Sequence, residues 1–271
     1  MAVALASLEK IAEGREAEIF AWEPGIVLKL YRDESDARLR ETERLAMTAV
    51  REAGGPAPRV LGLVDIEGRP GLLMERIDRP DLLTEIGKAP WKVVSTGGLM
   101  GQAHALFNQL KAPPQLRHLK DRLRDRFESP LVPRVLRQLA SEALAGLPDG
   151  DQLCHGDFHP ANIMRSERGS VVIDWSNATA GDAGADVAQT LLILDIGEPP
   201  PGSALAIRRL DSLGRGIIRS RYLAAYNRQC PIDGDLTLQW TFPLLVARLS
   251  HGIEQERGKL LARIDRRRSV S

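Results

Sequence analysis

The chain has 271 residues, 43% hydrophobic and 27% charged, with a formal net charge of +1. That length suits one large folding unit or two modest lobes, and the near-zero charge excludes a global pull toward nucleic acid or an anionic membrane. Two cysteines, Cys154 and Cys230, exclude a disulfide scaffold and fit a reducing compartment as free thiols.

The opening "MAVALASLEK" lacks a basic n-region and is too short for a signal segment, and no uncharged run is long enough to span a bilayer. A cytoplasmic protein is expected, with neither a nucleic-acid nor a membrane partner. Nothing in the pattern fixes an oligomeric state. Aromatic residues make up only 4%, so the core must rest on Leu, Ile, Val and Ala.

In chain order, "EIFAW" (18–22) and "GIVLKLY" (25–31) read as a hairpin joined by "EPG". Residues 33–55 then carry Leu39, Leu45, Ala46, Ala49 and Val50 at helical spacing, and close on Gly54-Gly55-Pro56, a helix stop. "RVLGLVDI" (59–66) and "LLMERI" (72–77), linked by "EGRPG", read as a second hairpin. Beyond Ile77 the pattern turns helical, broken by "LCHGDFHPANIM" (153–164) and a short β run, "SVVIDW" (170–175). It is helical again from 183, with turns at "GEPPPG" and "CPIDGD", and "DRRRSVS" reads as a frayed tail. An α+β protein is expected. Residues 1–77 form a small antiparallel sheet lobe carrying one helix, and residues 78–271 form a larger, mainly helical lobe.

The stretch at 153–164 carries the chemistry. Asp157 and Asn162 stand five apart, and Asp174 follows about a dozen residues later on the next short strand. Phosphoryl transfer to a hydroxyl needs a carboxylate to orient the acceptor and metal ligands to neutralise phosphate charge, and this order and spacing supply both. The same chemistry asks for a cation on an early strand, paired to a glutamate on the following helix. Lys29 is the only charge inside "GIVLKLY", and Glu41 and Glu43 are the candidate partners. Glu43 shares its helix face with Met47 and Val50.

Two other readings compete. His155, Asp157 and His159 are proper zinc ligands, which would suit a metal-dependent hydrolase. Pro160 follows at once, however, and no second histidine motif completes the set. A pseudokinase on the same fold would be a nucleotide-binding module, but Lys29, Asp157, Asn162 and Asp174 are all intact.

With these residues in view, the chain resembles the aminoglycoside phosphotransferase and choline kinase-like enzymes, which share the protein-kinase-like fold. The resemblance rests on "HGDxxxxN" (His155 to Asn162), on "IDW" (Ile173 to Trp175) and on Gly181, Asp182 and Asp186 in "GDAGADVAQT". It covers about 11–190 and implies a small-molecule kinase that transfers the γ-phosphate of Mg-ATP, or GTP, to a hydroxyl of a small acceptor. It implies Asp157 as catalytic, Asn162 and Asp174 as Mg²⁺ ligands, and Lys29 held by Glu43 against the α/β-phosphates. By the same resemblance the backbone of Glu75 and Ile77 meets the adenine edge, with Met74 behind it. The phosphate-covering loop lies around Gly14, with Arg15 a solvated turn residue.

The resemblance also makes His155 a support for the loop and seats His159 beside the site, with Asp182 and Asp186 as supports outside the chemistry. His104 is read as packing, and His118 and His251 as surface or helix positions. For the acceptor, residues 203–229 carry Arg208, Arg209, Arg215, Arg219, Arg221 and Arg228 against Asp211, which leans away from a polycation. Glu254 and Glu256 would reverse this if they lined the cleft. Choline would call for an aromatic cage, for which Trp175, Tyr222, Tyr226 and Trp240 are available.

Overall fold

The structure, a computed structural model, describes residues 5–33, 36–196 and 205–268. Its first part is a five-stranded antiparallel sheet of β1 (Lys10–Glu13), β2 (Ala17–Glu23), β3 (Ile26–Tyr31), β4 (Val60–Ile66) and β5 (Arg69–Glu75), in the order β1-β2-β3-β5-β4. The second hairpin turns on Glu67 and Gly68 alone, with φ of 52° and 79°, so Arg69 and Pro70 already belong to β5. Two consecutive positive-φ residues give the turn whose twist matches that of the flanking strands. β1 was not foreseen in the sequence, because "KIAE" is short, exposed and without alternation.

β3 is the middle strand, so Lys29 is not at an edge. Leu28 and Leu30 face an outer cluster with Phe20 and Ile66, whereas Val27 and Tyr31 face the main core. Lys29 shares that inner face by strand alternation and is buried. Across it runs α1 (Ala37–Glu52), whose buried residues Glu43, Ala46, Met47 and Val50 recur at i, i+3, i+4 and i+7. The helix stops where Gly54 takes φ 74° and the Gly55 amide reaches back to the Val50 carbonyl.

The chain then becomes mainly helical. It forms α2 (Leu82–Lys88), α3 (Val93–Asn108), α4 (Leu119–Phe127) and α5 (Arg134–Ala145) before the strands β6 (Gln152–Cys154), β7 (Ile163–Ser166), β8 (Gly169–Val172) and β9 (Thr179–Gly181). β6 pairs with β9 and β7 with β8, so "SVVIDW" is not one strand: β8 ends at Val172, and Asp174 lies past it. Next come α6 (Ala183–Ile196), α7 (Leu205–Asn227), α8 (Gly234–Arg248) and α9 (Glu254–Arg268). The expected frayed end is therefore helical as far as Arg268. The turn at 197–202 lies outside the described residues.

α3 lies directly on α7. Gly97 and Gly101 permit this, because a methyl at Gly101 would stand 2.8 Å from Ala225 Cβ and overlap the Tyr222 carbonyl. Among the described residues no helix is long and apolar enough to cross a membrane.

Candidate active site

The sheet and the helical part enclose a cavity of about 940 Å³, and every site residue read from the sequence lines it: Lys29, Glu43, Met74, Glu75, Ile77, Asp157, Asn162 and Asp174. Its cation is held at two points. Lys29 Nζ lies 2.7 Å from Glu43 Oε2 and 2.7 Å from Asp174 Oδ1. Burial works against the ammonium, but these two carboxylates outweigh it and hold its pKa above the usual lysine value.

Of the two glutamates left open by the sequence, Glu43 is the partner, and Glu41 pairs with Arg44 on the outside of α1. Glu43 is fully buried. It also accepts from the Tyr31 hydroxyl and from the Trp175 amide (3.1 Å), so α1 is bonded directly to the segment bearing Asp174.

Asp174 is in the left-handed region (φ 62°, ψ 64°), where a short polar side chain is the usual non-glycine occupant. Burial raises its pKa, yet the Lys29 charge and hydrogen bond prevail and keep it lowered. Its Oδ1 also accepts from Ser176 Oγ at 3.2 Å.

The 155–162 loop is tied down by backbone contacts. Gly156 takes φ 78°, and an added Cβ there would stand 2.5 Å from the Asn177 carbonyl, so glycine is needed both for conformation and for space. His155 is fully buried. Its Nδ1 accepts from the Asp157 amide (3.2 Å), so Nε2 carries the proton and donates to the Ile173 carbonyl (3.1 Å). Burial lowers its pKa and keeps the ring neutral. With both nitrogens committed to backbone it ligates nothing, and among the described residues no group of three His, Cys, Asp or Glu is placed to hold a metal. The zinc-hydrolase reading fails on that geometry.

Asp186 is the hub beneath the loop. Its carboxylate accepts from the His155 amide (2.7 Å), the Gly156 amide (2.9 Å) and Asn108 Nδ2 (3.2 Å), and it pairs with His104 Nε2 (3.0 Å). His104 is therefore a polar link as well as a packing residue, since its Nδ1 accepts from the Tyr222 hydroxyl at 2.8 Å. Asp182 caps the start of α6 through the Ala185 amide and accepts from Trp240 Nε1 (3.0 Å). The buried thiol of Cys154 reaches the carbonyls of Gln152 and Asp182, and burial followed by the nearby Asp186 and Asp182 charges drives its pKa well up.

Asp157 points into the cavity with His159 Nε2 3.7 Å from its Oδ2. Burial raises its pKa, but His159, His155 and Arg248 prevail and hold it at about 2, so it is ionised at neutral pH. Asn162 donates Nδ2 to the Asp157 carbonyl (2.9 Å), which leaves its Oδ1 as a free acceptor among the described residues. Asn162 Oδ1 and the Asp174 carboxylate are hard oxygen donors. Two of them fit Mg²⁺, which takes few protein ligands and completes its shell with phosphate and water.

At the end of β5 the Glu75 amide donates to the Arg59 carbonyl (2.9 Å), and its carboxylate pairs with Arg168 (2.7 Å). The Ile77 amide has no partner among the described residues.

On the acceptor side, several sequence expectations change. Trp175, Tyr222, Tyr226 and Trp240 are fully buried and cannot cage a cation. Glu256 is bound to Arg248 and Glu254 is exposed, and neither lines the cavity. Of the arginine run, Arg208, Arg209 and Asp211 lie outside the described side chains. Arg219 pairs with Asp195, Arg215 reaches the Leu194 carbonyl, and Arg221 and Arg228 are exposed. His118 is half-buried, bonded to the Gly150 carbonyl, whereas His251 lines the cavity itself. Arg15 is exposed at the cavity rim, as its turn position suggested. Arg126 and Arg248, both cavity-lining, were missed by the sequence reading.

A sheet lobe and a helical lobe around a lysine–glutamate pair, with an aspartate loop between them, define the protein-kinase-like fold. Residues 7–225 match the profile of the phosphotransferase enzyme family, and the chain belongs to that family. Solved structures agree in fold. A thermostable mutant of the aminoglycoside phosphotransferase APH(4)-Ia is 15% identical, with a TM-score of 0.64 over 96% of this chain and 92% of that one. The amicoumacin kinase hAmiN, in complex with AMP-PNP, Ca²⁺ and Ami, is 13% identical, with a TM-score of 0.63 over 98% and 87%. An aminoglycoside-3'-phosphotransferase of type VIII is 19% identical, with a TM-score of 0.60 over 90% and 92%. A search of curated proteins gave no match.

Proposed function

We propose that this phosphotransferase is a small-molecule kinase, moving the γ-phosphate of Mg-ATP (or GTP) to a hydroxyl of a small acceptor. The observation that carries this is the convergence of Lys29, Glu43, Asp157, Asn162 and Asp174 on one cavity. In this reading residues 1–77 hold the nucleotide and residues 78–271 the acceptor. The Glu75 carbonyl and the Ile77 amide take the adenine edge, and Met74 backs it. Lys29, locked by Glu43, contacts the α/β-phosphates.

Mg²⁺ held by Asn162 and Asp174 supplies neutralisation of the phosphate charge. Asp157, with its pKa held at about 2, is a weak base. Its work is to accept the hydrogen bond of the acceptor hydroxyl and align it, taking the proton late as the O–P bond forms.

The test is nucleoside diphosphate release with Mg²⁺ and ATP or GTP across a panel of hydroxyl compounds. Asp157→Asn is expected to lower turnover by about 10²–10⁴-fold with nucleotide affinity unchanged. Near wild-type turnover in that variant sinks the assignment.

A further inference from the structure

Beyond Asp157 the cavity wall is basic. Arg126 reaches it from the last turn of α4, Arg248 from the end of α8, and His251 from the turn that follows. Arg248 is fixed and neutralised, since its Nε and Nη2 bind the two Glu256 carboxylate oxygens at 2.8 and 2.9 Å. Arg126 is different. It is half-buried, and among the described residues its guanidinium makes no ion pair or hydrogen bond.

Burial and then repulsion from Arg248 push the Arg126 pKa down to about 10, and it remains charged at neutral pH. The carboxylates acting on it are Asp157 and Glu16. The first is committed to the acceptor hydroxyl in the reading above, and the second accepts from Ser176 Oγ at 2.8 Å. His251 stays neutral, held at about 3 by burial and by Arg126 and Arg248, and among the described residues its buried Nε2 has no partner. Ile193 and Ile253 complete the lining.

A cavity-lining guanidinium that no ion pair or hydrogen bond occupies is open to an anion, and its planar fork is the side chain best shaped for carboxylate or phosphate oxygens. We infer that the acceptor carries an anionic group, a carboxylate or a phosphate, bound by Arg126 at this end of the cavity, with Arg248 and His251 beside it and the acceptor hydroxyl turned toward Asp157. The inference rests on the kinase reading for the role of Asp157, but not for the anion site itself.

The experiment compares four probes on one carbon skeleton: glycerate, glycerol 3-phosphate, glycerol and 2-amino-1,3-propanediol. Binding is measured calorimetrically to the full chain without nucleotide, in wild type, Arg126→Gln and Arg126→Lys. Saturable binding of one or both anions is expected, and their ratio separates carboxylate from phosphate. The neutral and cationic probes should bind at least tenfold more weakly. Arg126→Gln should lose about tenfold or more in anion affinity, the scale of a charge-assisted hydrogen bond, with Arg126→Lys intermediate and the affinity for Mg-ATP unchanged.

Three binding results overturn the inference: anions binding no better than the other probes, anion binding unchanged in Arg126→Gln, or a loss confined to Mg-ATP. An unchanged thermal midpoint in either variant excludes misfolding as the cause. Transfer to a neutral or cationic acceptor that Arg126→Gln does not slow sinks this inference and leaves the kinase. Anion binding with no transfer to any acceptor does the reverse.

Discussion

Asp186 never reaches the substrate space, yet it sets where Asp157 stands, because it receives the two backbone amides just before that residue. Burial raises its pKa, but the hydrogen bond with His104, the electrostatic influence of the His104 and His155 rings and the Gly156 amide outweigh it, so the folded value lies below the ordinary 3.8. A carboxylate whose pKa is depressed by folding adds stability above its unfolded pKa and loses it as the pH falls through the folded one. Asp186→Asn removes the charge and leaves donors unmatched, at an expected cost of about 3 kcal/mol at pH 7. Chemical denaturation from pH 7 down to pH 2 should show a constant gap between wild type and variant until about pH 4, and a narrowing gap below it. A gap independent of pH would show that the carboxylate charge carries none of the effect.

At this scale much was legible, because Asp157, Asn162 and Asp174 sit in one short stretch whose spacing is itself the signal. Arg126 and Arg248 were not, since they stand 122 positions apart and only packing brings them to one wall.

Among the elements, α1 was the most readable. Its apolar face and its glutamate obey one helical period, and Glu43 rather than Glu41 follows from sharing that face with Met47 and Val50. The α3–α7 contact was hidden, because glycine spacing within a helix does not announce which helix will lie on it. That contact makes a sharp prediction. A Cβ at Gly101 would run into backbone on α7, the Tyr222 carbonyl and the Tyr226 amide, which cannot yield as a side chain can. Gly101→Ala gains helix propensity of about 1 kcal/mol but forces the helices apart, and should destabilise by about 2 kcal/mol net. Urea denaturation of the variant decides it, and a stabilised variant would mean that α7 can shift without cost.

Across the whole molecule, one continuous core runs from the sheet into the helical part. It joins Val27, Met47, Leu72 and Met74 to Phe107, Leu153, Phe158, Trp175 and Tyr222. A second core, built around Phe127, Leu144, Leu192 and Trp240, belongs to the helical part alone. The shared core, with Glu43 bonded to the Trp175 amide, predicts that ligand binding at the cavity is felt by the whole fold. Mg-ATP at a hundredfold excess over its dissociation constant should add about 2.7 kcal/mol and raise the melting temperature by several degrees in a single transition. Asp174→Ala should abolish most of that shift. A shift of equal size in the variant, or one unaffected by chelating Mg²⁺, would remove Asp174 from the metal site. The bilobal plan was visible in the sequence as a change from strand-length to helix-length periodicity, but the sharing of one core between the lobes was not.

Cys154 has a consequence of another kind. Its thiol is buried under the loop that bears Asp157, with its sulfur turned to two carbonyls and its pKa driven up by burial and by Asp186 and Asp182. Oxidants and alkylating agents attack the thiolate, and here that form is scarce and out of reach. The loop is therefore chemically quiet despite a cysteine only three residues from its aspartate. Among the described residues no thiol lines the cavity, and Cys230, half-buried just past the end of α7 and away from the cavity, is the more accessible of the two cysteines.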